Sequence, residues 1–586
     1  MKGPRAFDNG GMSKVIVFAT PVFLLMIALE YWWGLSRVRK GTGRNTYSLS
    51  DTINSINLGI LSQLSGALSK LLTIGIYTLV FSVVAVYPDG AFWKTWYGVL
   101  LALVFYDLCY YWLHRAGHEV SLFWAAHVVH HQSQQYNLST ALRQTSSGVF
   151  FNWIFYLPMA LAGVPPEIFA IVALVDLLYQ FWVHTEQVGK LGWFDRVFCS
   201  PSNHRVHHAV NTQYLDKNYG GILVLWDRLF GSFAMEEEKC VYGTRGQLNS
   251  WDPLWANLEV YAALAHDSWR TRRWPDKIRV WFNPPGWQPA DLALAYPKPE
   301  FRLEAVTQFN PPLSRGQQWF AAAQFLLTLG AVAALLGHVD AMPLTEAAIW
   351  CAALATGVWA LGRYMQGALH LLEVLAVQAA ALAVLGSLGF LPGYGILKPL
   401  VMVIAIIFVA TRAHSTWVPG RFGKYLLLAL AFSMGGDIAL LWPETLFILG
   451  LGLFLVAHVF YIVLFHQGQA WFPSRKALAS VLAVGAGIYA IILPGLADPV
   501  LKVAVAAYVT VISLMAAQAI GRAMVLGDAA SRWVAVGACI FMVSDTFIAI
   551  NKFLTPVSLA SLWILATYYT AQLLIVHHAR PPHSPA

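Results

Sequence analysis

Residues 93–131 read WKTWYGVLLALVFYDLCYYWLHRAGHEVSLFWAAHVVHH. An apolar run over 93–113 approaches the roughly 20 residues that cross about 30 Å of hydrocarbon. It ends in His114-x3-His118 and is followed by His127-x2-His130-His131. One segment therefore predicts a membrane helix with a cluster of metal-binding side chains at its end. Spacings of i, i+4 and i, i+3 put imidazoles on one helical face, which Asp107 and Tyr111 share. Half of the chain's 18 histidines lie between 114 and 208. A lone His184 and the group His204-x2-His207-His208 complete the set.

Outward from this stretch, the composition agrees with a bilayer protein. The chain has 586 residues, 58% hydrophobic and only 12% charged, against about a quarter charged in soluble proteins. A soluble globule and a disordered chain are both excluded. The 24 Trp, 24 Tyr and 33 Phe suit membrane interfaces. The net charge of +8 fits basic cytoplasmic loops better than nucleic-acid binding. Five scattered cysteines without a CxxC pair indicate neither a disulfide framework nor a cysteine zinc site, and read as packing residues.

Apolar runs fall near 14–34, 56–86 and 93–113, with a pair near 149–163 and 166–184. The first carries Lys2, Arg5 and Lys14 ahead of it and Glu30-Tyr31-Trp32-Trp33 where a cleavage site would need small residues, so it reads as a retained span. Residues 185–315 break the pattern with charges and Trp-Pro turns. Runs then resume near 318–337, 344–362, 369–387, 395–411, 424–442, 446–466, 477–494, 498–518, 532–550 and 557–577. The predicted fold is all-α and polytopic: a histidine-rich helical domain with a cytosolic cap over 1–240, a polar cap extension and linker over 241–315, and a second multi-span bundle over 316–586. The basic residues Arg37, Arg39, Lys40 and Arg44, and later Arg412, Arg421, Lys424, Arg475, Lys476, Arg522 and Arg532, put 114–147 and 185–315 on the cytoplasmic side. The membrane implied is a bacterial inner membrane or its equivalent.

Imidazole suits iron, zinc and copper alike. Eight or nine nitrogen ligands exceed what one ion takes, so two metals sharing His114, His118, His127, His130, His131, His184, His204, His207 and His208 is the physical solution. A redox pair of irons would activate oxygen; a zinc pair would be structural.

These boxes, HxxxH, HxxHH and HxxHH, resemble the fatty acid hydroxylase superfamily of membrane di-iron oxygenases, which includes sterol desaturases, over about 50–240. The flanking stretches Gln180-Phe181-Trp182-Val183-His184-Thr185-Glu186, Arg205-Val206-His207-His208 and DKNYGGILVLWDRLFGSF at 216–233 are most similar to its alkylglycerol monooxygenase branch. Asn203 departs from a histidine expected beside the third box. The resemblance implies two iron ions, O2 as co-substrate, a lipid substrate drawn from the bilayer, and oxygen insertion beside an alkylglycerol ether oxygen with tetrahydrobiopterin supplying electrons. It also implies His184 as a ligand with Glu186 accepting behind it. Sterol and fatty-acyl members of the superfamily draw instead on an external electron donor of the cytochrome b5 kind, and residue types do not separate the two reductants.

In the second bundle, polar residues inside apolar spans mark a second candidate site: Lys398 before Pro399, Ser433, Asp437, His458, Tyr461, Ser544, Asp545 and Gln572. A structural polar network is the alternative. The pieces Lys398-Pro399-Leu400, Ser433 through Asp437, Ala457-His458-x2-Tyr461-x3-Phe465 and Ser544-Asp545 resemble the lysoplasmalogenase family over about 345–578. The resemblance implies vinyl-ether hydrolysis; that reaction needs protonation of the alkene carbon and attack by water, for which Asp437 and Asp545 are the candidates, with Lys398 and His458 as tuning or binding partners. No Walker loop, strand-anchored nucleotide motif or GxSxG elbow is present. His577-His578 beside Arg580 reads as an interfacial tail, and Pro581, Pro582 and Pro585 as a disordered end. Two alternatives to ether cleavage stay open: a sterol or fatty-acyl hydroxylase or desaturase, and a non-catalytic zinc-stabilised lipid-binding or transport protein.

Overall fold

The computed structural model describes residues 10–69, 71–413 and 420–581; Lys2, Arg5, Pro582 and Pro585 lie outside them. Among the described residues the secondary structure is helical, with only two isolated bridges, Phe198 to Leu223 and Ala209 to Tyr242. Among the described residues ten helices are long and apolar enough to cross a membrane. They take up the expected runs except five. The run at 56–86 is not one span but the helix Leu49–Leu68, a π-helical turn Leu71–Gly75 and the helix Ile76–Val84. The break falls where small polar residues divert backbone hydrogen bonding: Ser69 Oγ donates to the Ser65 carbonyl (2.6 Å), and Ser65 Oγ to that of Ser146 (2.8 Å). The runs at 149–163, 166–184 and 369–387 form only Trp153–Leu161, Pro166–Trp182 and Leu371–Ser387. The last run forms Ala560–His578, in which Gln572 and His577 lower the hydropathy.

The chain divides into two compact units, 1–368 and 369–586. This moves the boundary from the expected 315/316. The helices Arg315–His338 and Leu344–Met365 pack on Leu49–Leu68, where Val332, Leu335 and Val358 bury against Ile56, Ile60 and Leu64. The polar segment adds directed bonds to the same helices: Trp359 Nε1 donates to Asp252 Oδ2 (3.1 Å), and Gln366 Oε1 accepts from Ser250 Oγ and Trp251 N. Burying those apolar faces and amide groups ties both helices to the first unit. A second core in this unit stacks Tyr106 on Tyr156 (4.7 Å) and Tyr77 on Phe169 (4.2 Å), and braces the helix Trp96–Glu119.

The described residues of the second unit form eight α-helices from Leu371 to His578. One core of small and aromatic side chains joins them, with Ala429, Ala516, Ala538 and Ala571 letting backbones approach and Phe408, Phe465 and Phe541 filling between them. His577 belongs to the helix Ala560–His578. Its Nδ1 lies 2.5 Å from Glu373 Oε1, and the His578 ring stacks on Trp533. Of the cysteines, all free, four are buried as packing residues and Cys539 is exposed.

Candidate metal centre

The histidines are carried by helices and the residues flanking them. Thr95 caps the helix Trp96–Glu119 by accepting from Gly98 N (3.1 Å), and that helix carries His114 and His118 one turn apart. The four-residue helix Val128–His131 carries His130 and His131, with His127 at its N-cap. His184 follows the helix Pro166–Trp182. Pro201 at the first position and a reciprocal cap between Ser200 and Asn203 start the helix Pro201–His208. Asn203, where a further histidine was expected, therefore acts as the third residue of a capping box.

All nine predicted ligands converge, in two groups. His114, His118, His127, His131 and His207 form one; His130, His184, His204 and His208 form the other, with ligand nitrogens inside each group within 4.8 Å of one another. In the first, His131 Nε2 lies 3.2 Å from His118 Nε2 and 3.1 Å from His127 Nε2. In the second, His184 Nε2 lies 3.1 Å from the Nε2 of both His130 and His204, and His208 Nε2 is 3.2 Å from His204 Nε2. The groups abut, with the His131 and His208 rings stacked at 4.3 Å.

The outward-facing nitrogens explain this arrangement. Nδ1 of His114, His130, His184 and His207 lies 2.7 to 3.0 Å from the carbonyls of Tyr219, Arg143, Gln180 and Lys217 respectively. A carbonyl only accepts, so Nδ1 carries the proton and each Nε2 turns a lone pair inward. Nε2 of His114 and of His207 is buried without a hydrogen-bond partner. Lone pairs aimed at one another in a dry site are satisfied by a cation between them. Burial holds His127, His131, His184, His204, His207 and His208 well below the ordinary imidazole range, and His130 at about 4, so these rings are neutral, as ligation requires.

Carboxylates brace the loop behind the first group. Asp107 accepts from Ile222 N (2.7 Å), Leu223 N (3.0 Å) and Trp226 Nε1 (2.9 Å). Asp227 accepts from Tyr219 N, Gly220 N and Ser232 Oγ, and Ser232 Oγ also meets Tyr111 Oη at 2.9 Å. Asp107 and Tyr111 thus hold the loop that presents the Tyr219 carbonyl. Glu186 does not accept from His184 as expected; it pairs with Arg44, while His184 turns to the Gln180 carbonyl. The carbonyls of Arg143, Gln180, Lys217 and Tyr219 carry no side-chain signal and could not be read from sequence.

In the second unit four of the eight polar candidates fall into two pairs. Lys398 Nζ is 3.8 Å from Asp437 Oδ1, whose Oδ2 accepts from Tyr568 (2.7 Å). Asp545 Oδ2 accepts from Tyr508 (2.5 Å), and His458 Nε2 lies 3.0 Å from Tyr508 Oη and 3.5 Å from Asp545 Oδ2. Phe541 lies between the pairs, 4.7 Å from the His458 ring and 5.4 Å from that of Tyr568. Ser433, Tyr461 and Gln572 form a separate chain of hydrogen bonds, and Ser544 bonds the Ile564 carbonyl. Tyr508 and Tyr568 were not among the sequence candidates; their hydrogen bonds to Asp545 and Asp437 are what single them out.

The fatty acid hydroxylase family profile matches residues 99–232, and that of the YhhN family residues 394–579. The chain is 37% identical over 315 residues to the alkylglycerol monooxygenase of Homo sapiens, covering 53% of this chain and 68% of that protein. It is 36% identical over 340 residues to the same enzyme of Danio rerio, covering 57% and 73%. A lysoplasmalogenase of Mycobacterium bovis is 31% identical over 191 residues, covering 32% of this chain and 71% of that protein. No solved structure matches the chain significantly.

Proposed function

The chain belongs to the alkylglycerol monooxygenase family, with a lysoplasmalogenase-family region towards its C-terminus, and is an oxygen-dependent oxidoreductase of membrane lipids; from that premise we propose that it opens ether lipids by two chemistries. In the first unit the five-histidine and four-histidine groups each hold one iron. When bound, the irons supply oxygen activation, with tetrahydrobiopterin as reductant, and the carbon beside an alkylglycerol ether oxygen becomes a hemiacetal that collapses to a fatty aldehyde and a glycerol. The protein's part is to present neutral imidazoles in fixed tautomers, exclude water, and admit the alkyl chain from the bilayer between its apolar helices. The excess of basic residues in the loops beside the histidines supports a centre at the cytoplasmic face, in a membrane of the bacterial inner-membrane type.

In the second unit, vinyl ethers of lysoplasmalogens are hydrolysed to a fatty aldehyde and a glycerophospho-base. Proton delivery to the alkene carbon and uptake of the proton that the adding water loses are carboxyl chemistry, for which Asp437 and Asp545, with Lys398 and His458 beside them, are the residues available.

The observation that carries the oxygenase reading is the pair of buried histidine groups with inward lone pairs. Purification with iron, metal analysis, and oxygen-dependent aldehyde release from an alkylglycerol with and without tetrahydrobiopterin test it. Two irons with pterin-dependent aldehyde are expected. Two irons without aldehyde would redirect the substrate to sterols or acyl lipids, aldehyde only with an added reductase would replace the pterin, and zinc alone would sink the reading. Asp437→Asn or Asp545→Asn should abolish vinyl-ether hydrolysis while sparing oxygenation.

A further inference from the structure

The two carboxylates of the second unit do not face the same surroundings. An apolar cavity, walled by residues including Leu451, Ile488, Val509, Ile512 and Ala549, reaches Asp545 and Tyr508 as nearly its only polar groups. Asp437, Lys398 and His458 do not line it. The Asp545 side chain is 13% exposed, that of Asp437 3%. Behind Tyr508, His458 is fully buried, and its Nδ1 has no hydrogen-bond partner. With Nδ1 unprotonated, His458 Nε2–H donates to Tyr508 Oη, whose own proton goes to Asp545. An apolar pocket with one hydrogen-bonded carboxylate at its wall suits a ligand made of a hydrocarbon chain with one reactive polar junction.

We propose that this cavity takes the hydrocarbon chain of the alkenyl lipid, that Asp545 and Tyr508 meet the enol-ether carbons, and that His458 is a positioning residue acting through Tyr508. This rests on the hydrolase reading of the second unit and divides its carboxylates into unequal roles. The reaction R–CH=CH–O–R′ + H2O → R–CH2–CHO + HO–R′ needs no oxidant. Asp545 delivers a proton to the alkene carbon distal to oxygen, and water adds to the carbon that bears oxygen. The proton lost by that water returns to the Asp545 carboxylate. The resulting hemiacetal breaks its bond to the R′ oxygen, which leaves as the alcohol. The Lys398–Asp437 pair stands apart from the chain.

The test is chain-length selectivity. Ala549→Phe and Val509→Phe narrow the cavity, and each should lose roughly 10- to 100-fold in kcat/KM on a long-chain lysoplasmalogen relative to a short-chain one. Tyr508→Phe should lose roughly 100-fold in kcat on both, and His458→Gln should shift the pH profile of kcat while leaving the chain-length profile unchanged. As a readout that needs neither variants nor turnover, a saturated ether analogue with a photoreactive chain terminus should label the cavity wall of the intact wild-type chain. Wild-type hydrolysis with unaltered selectivity in both narrowed variants, or labelling confined to other helices, would overturn the cavity assignment alone. A wild-type chain that hydrolyses no alkenyl lipid removes the reaction, and the assignment with it.

Discussion

Nδ1 of His130 meets the carbonyl oxygen of Arg143 at 2.9 Å, while the Arg143 side chain turns back so that Nε donates to the Val129 carbonyl at 2.7 Å. Arg143 thus holds the short helix Val128–His131 at two points, the His130 ring and the Val129 carbonyl. Arg143 is 1% exposed, and burial depresses its guanidinium to about 10, with Asp51 opposing that shift. Arg143→Met leaves Asp51 buried without its cation and should cost about 3 kcal/mol of stability. Thermal unfolding in detergent and metal content measure this; a variant with wild-type stability and full metal would remove this role for Arg143.

Truncating one member of each histidine group separates the two metals. His131→Ala should lower iron in the first group and His204→Ala in the second, each leaving close to half the wild-type iron and no oxygenation. Lysoplasmalogen hydrolysis should persist in both. Metal analysis with the two activity assays decides it, and loss of both activities in either variant would argue against independent sites.

Asp107 is a test of support without ligation. Asp107→Asn swaps one acceptor for an amide N–H that faces the donors of Ile222, Leu223 or Trp226. The loop carrying the Tyr219 carbonyl should loosen, and iron affinity should fall about 10- to 100-fold, the usual effect of losing such a partner. A metal-competition titration reads the change.

The ion pair behind the last histidine helix predicts a pH dependence. Burial raises the Glu236 carboxyl, but the two hydrogen bonds and the charge of Arg205 outweigh it and leave the group below its ordinary 4.5. A carboxyl whose folded value is depressed stabilises the fold above its unfolded value and loses that contribution as pH falls through the folded one. The stability gap between wild type and Glu236→Gln should thus be full at neutral pH and shrink below 4.5. A gap that stays constant or widens in acid would contradict the assignment.

Lys398 and Asp437 form a buried pair, 6% and 3% exposed. Lys398→Met alone should destabilise the chain by about 3 kcal/mol, because it strands a charge, whereas adding Asp437→Asn should recover much of the loss. A double-mutant cycle by thermal unfolding checks this, and simple additivity would refute the coupling.

The histidine boxes were legible because ligand spacing is local. His114 with His118, and His204 with His208, stand one helical turn apart and enter the same group. Consecutive residues on a helix diverge by about 100°, and His130 and His131, and likewise His207 and His208, enter different groups. The same arithmetic leaves open which turn of which element faces which, so the sorting into five and four was not readable. Backbone carbonyls that fix the tautomers were silent for another reason: every residue has one, and only its placement gives it a role.

Hydrophobic runs and histidine spacing, both properties of neighbouring residues, determined from sequence alone that this is a helical membrane protein with a nine-histidine centre and a second polar site. Partners remote along the chain were decided by packing. Those partners include Glu186 with Arg44 in place of His184, the helices of 315–365 with the first unit, and Asp545 with Tyr508 rather than with Asp437. The reason is physical: a charge or an apolar face in a span states that it must be satisfied, but only the folded arrangement of helices determines which distant group lies within reach to satisfy it.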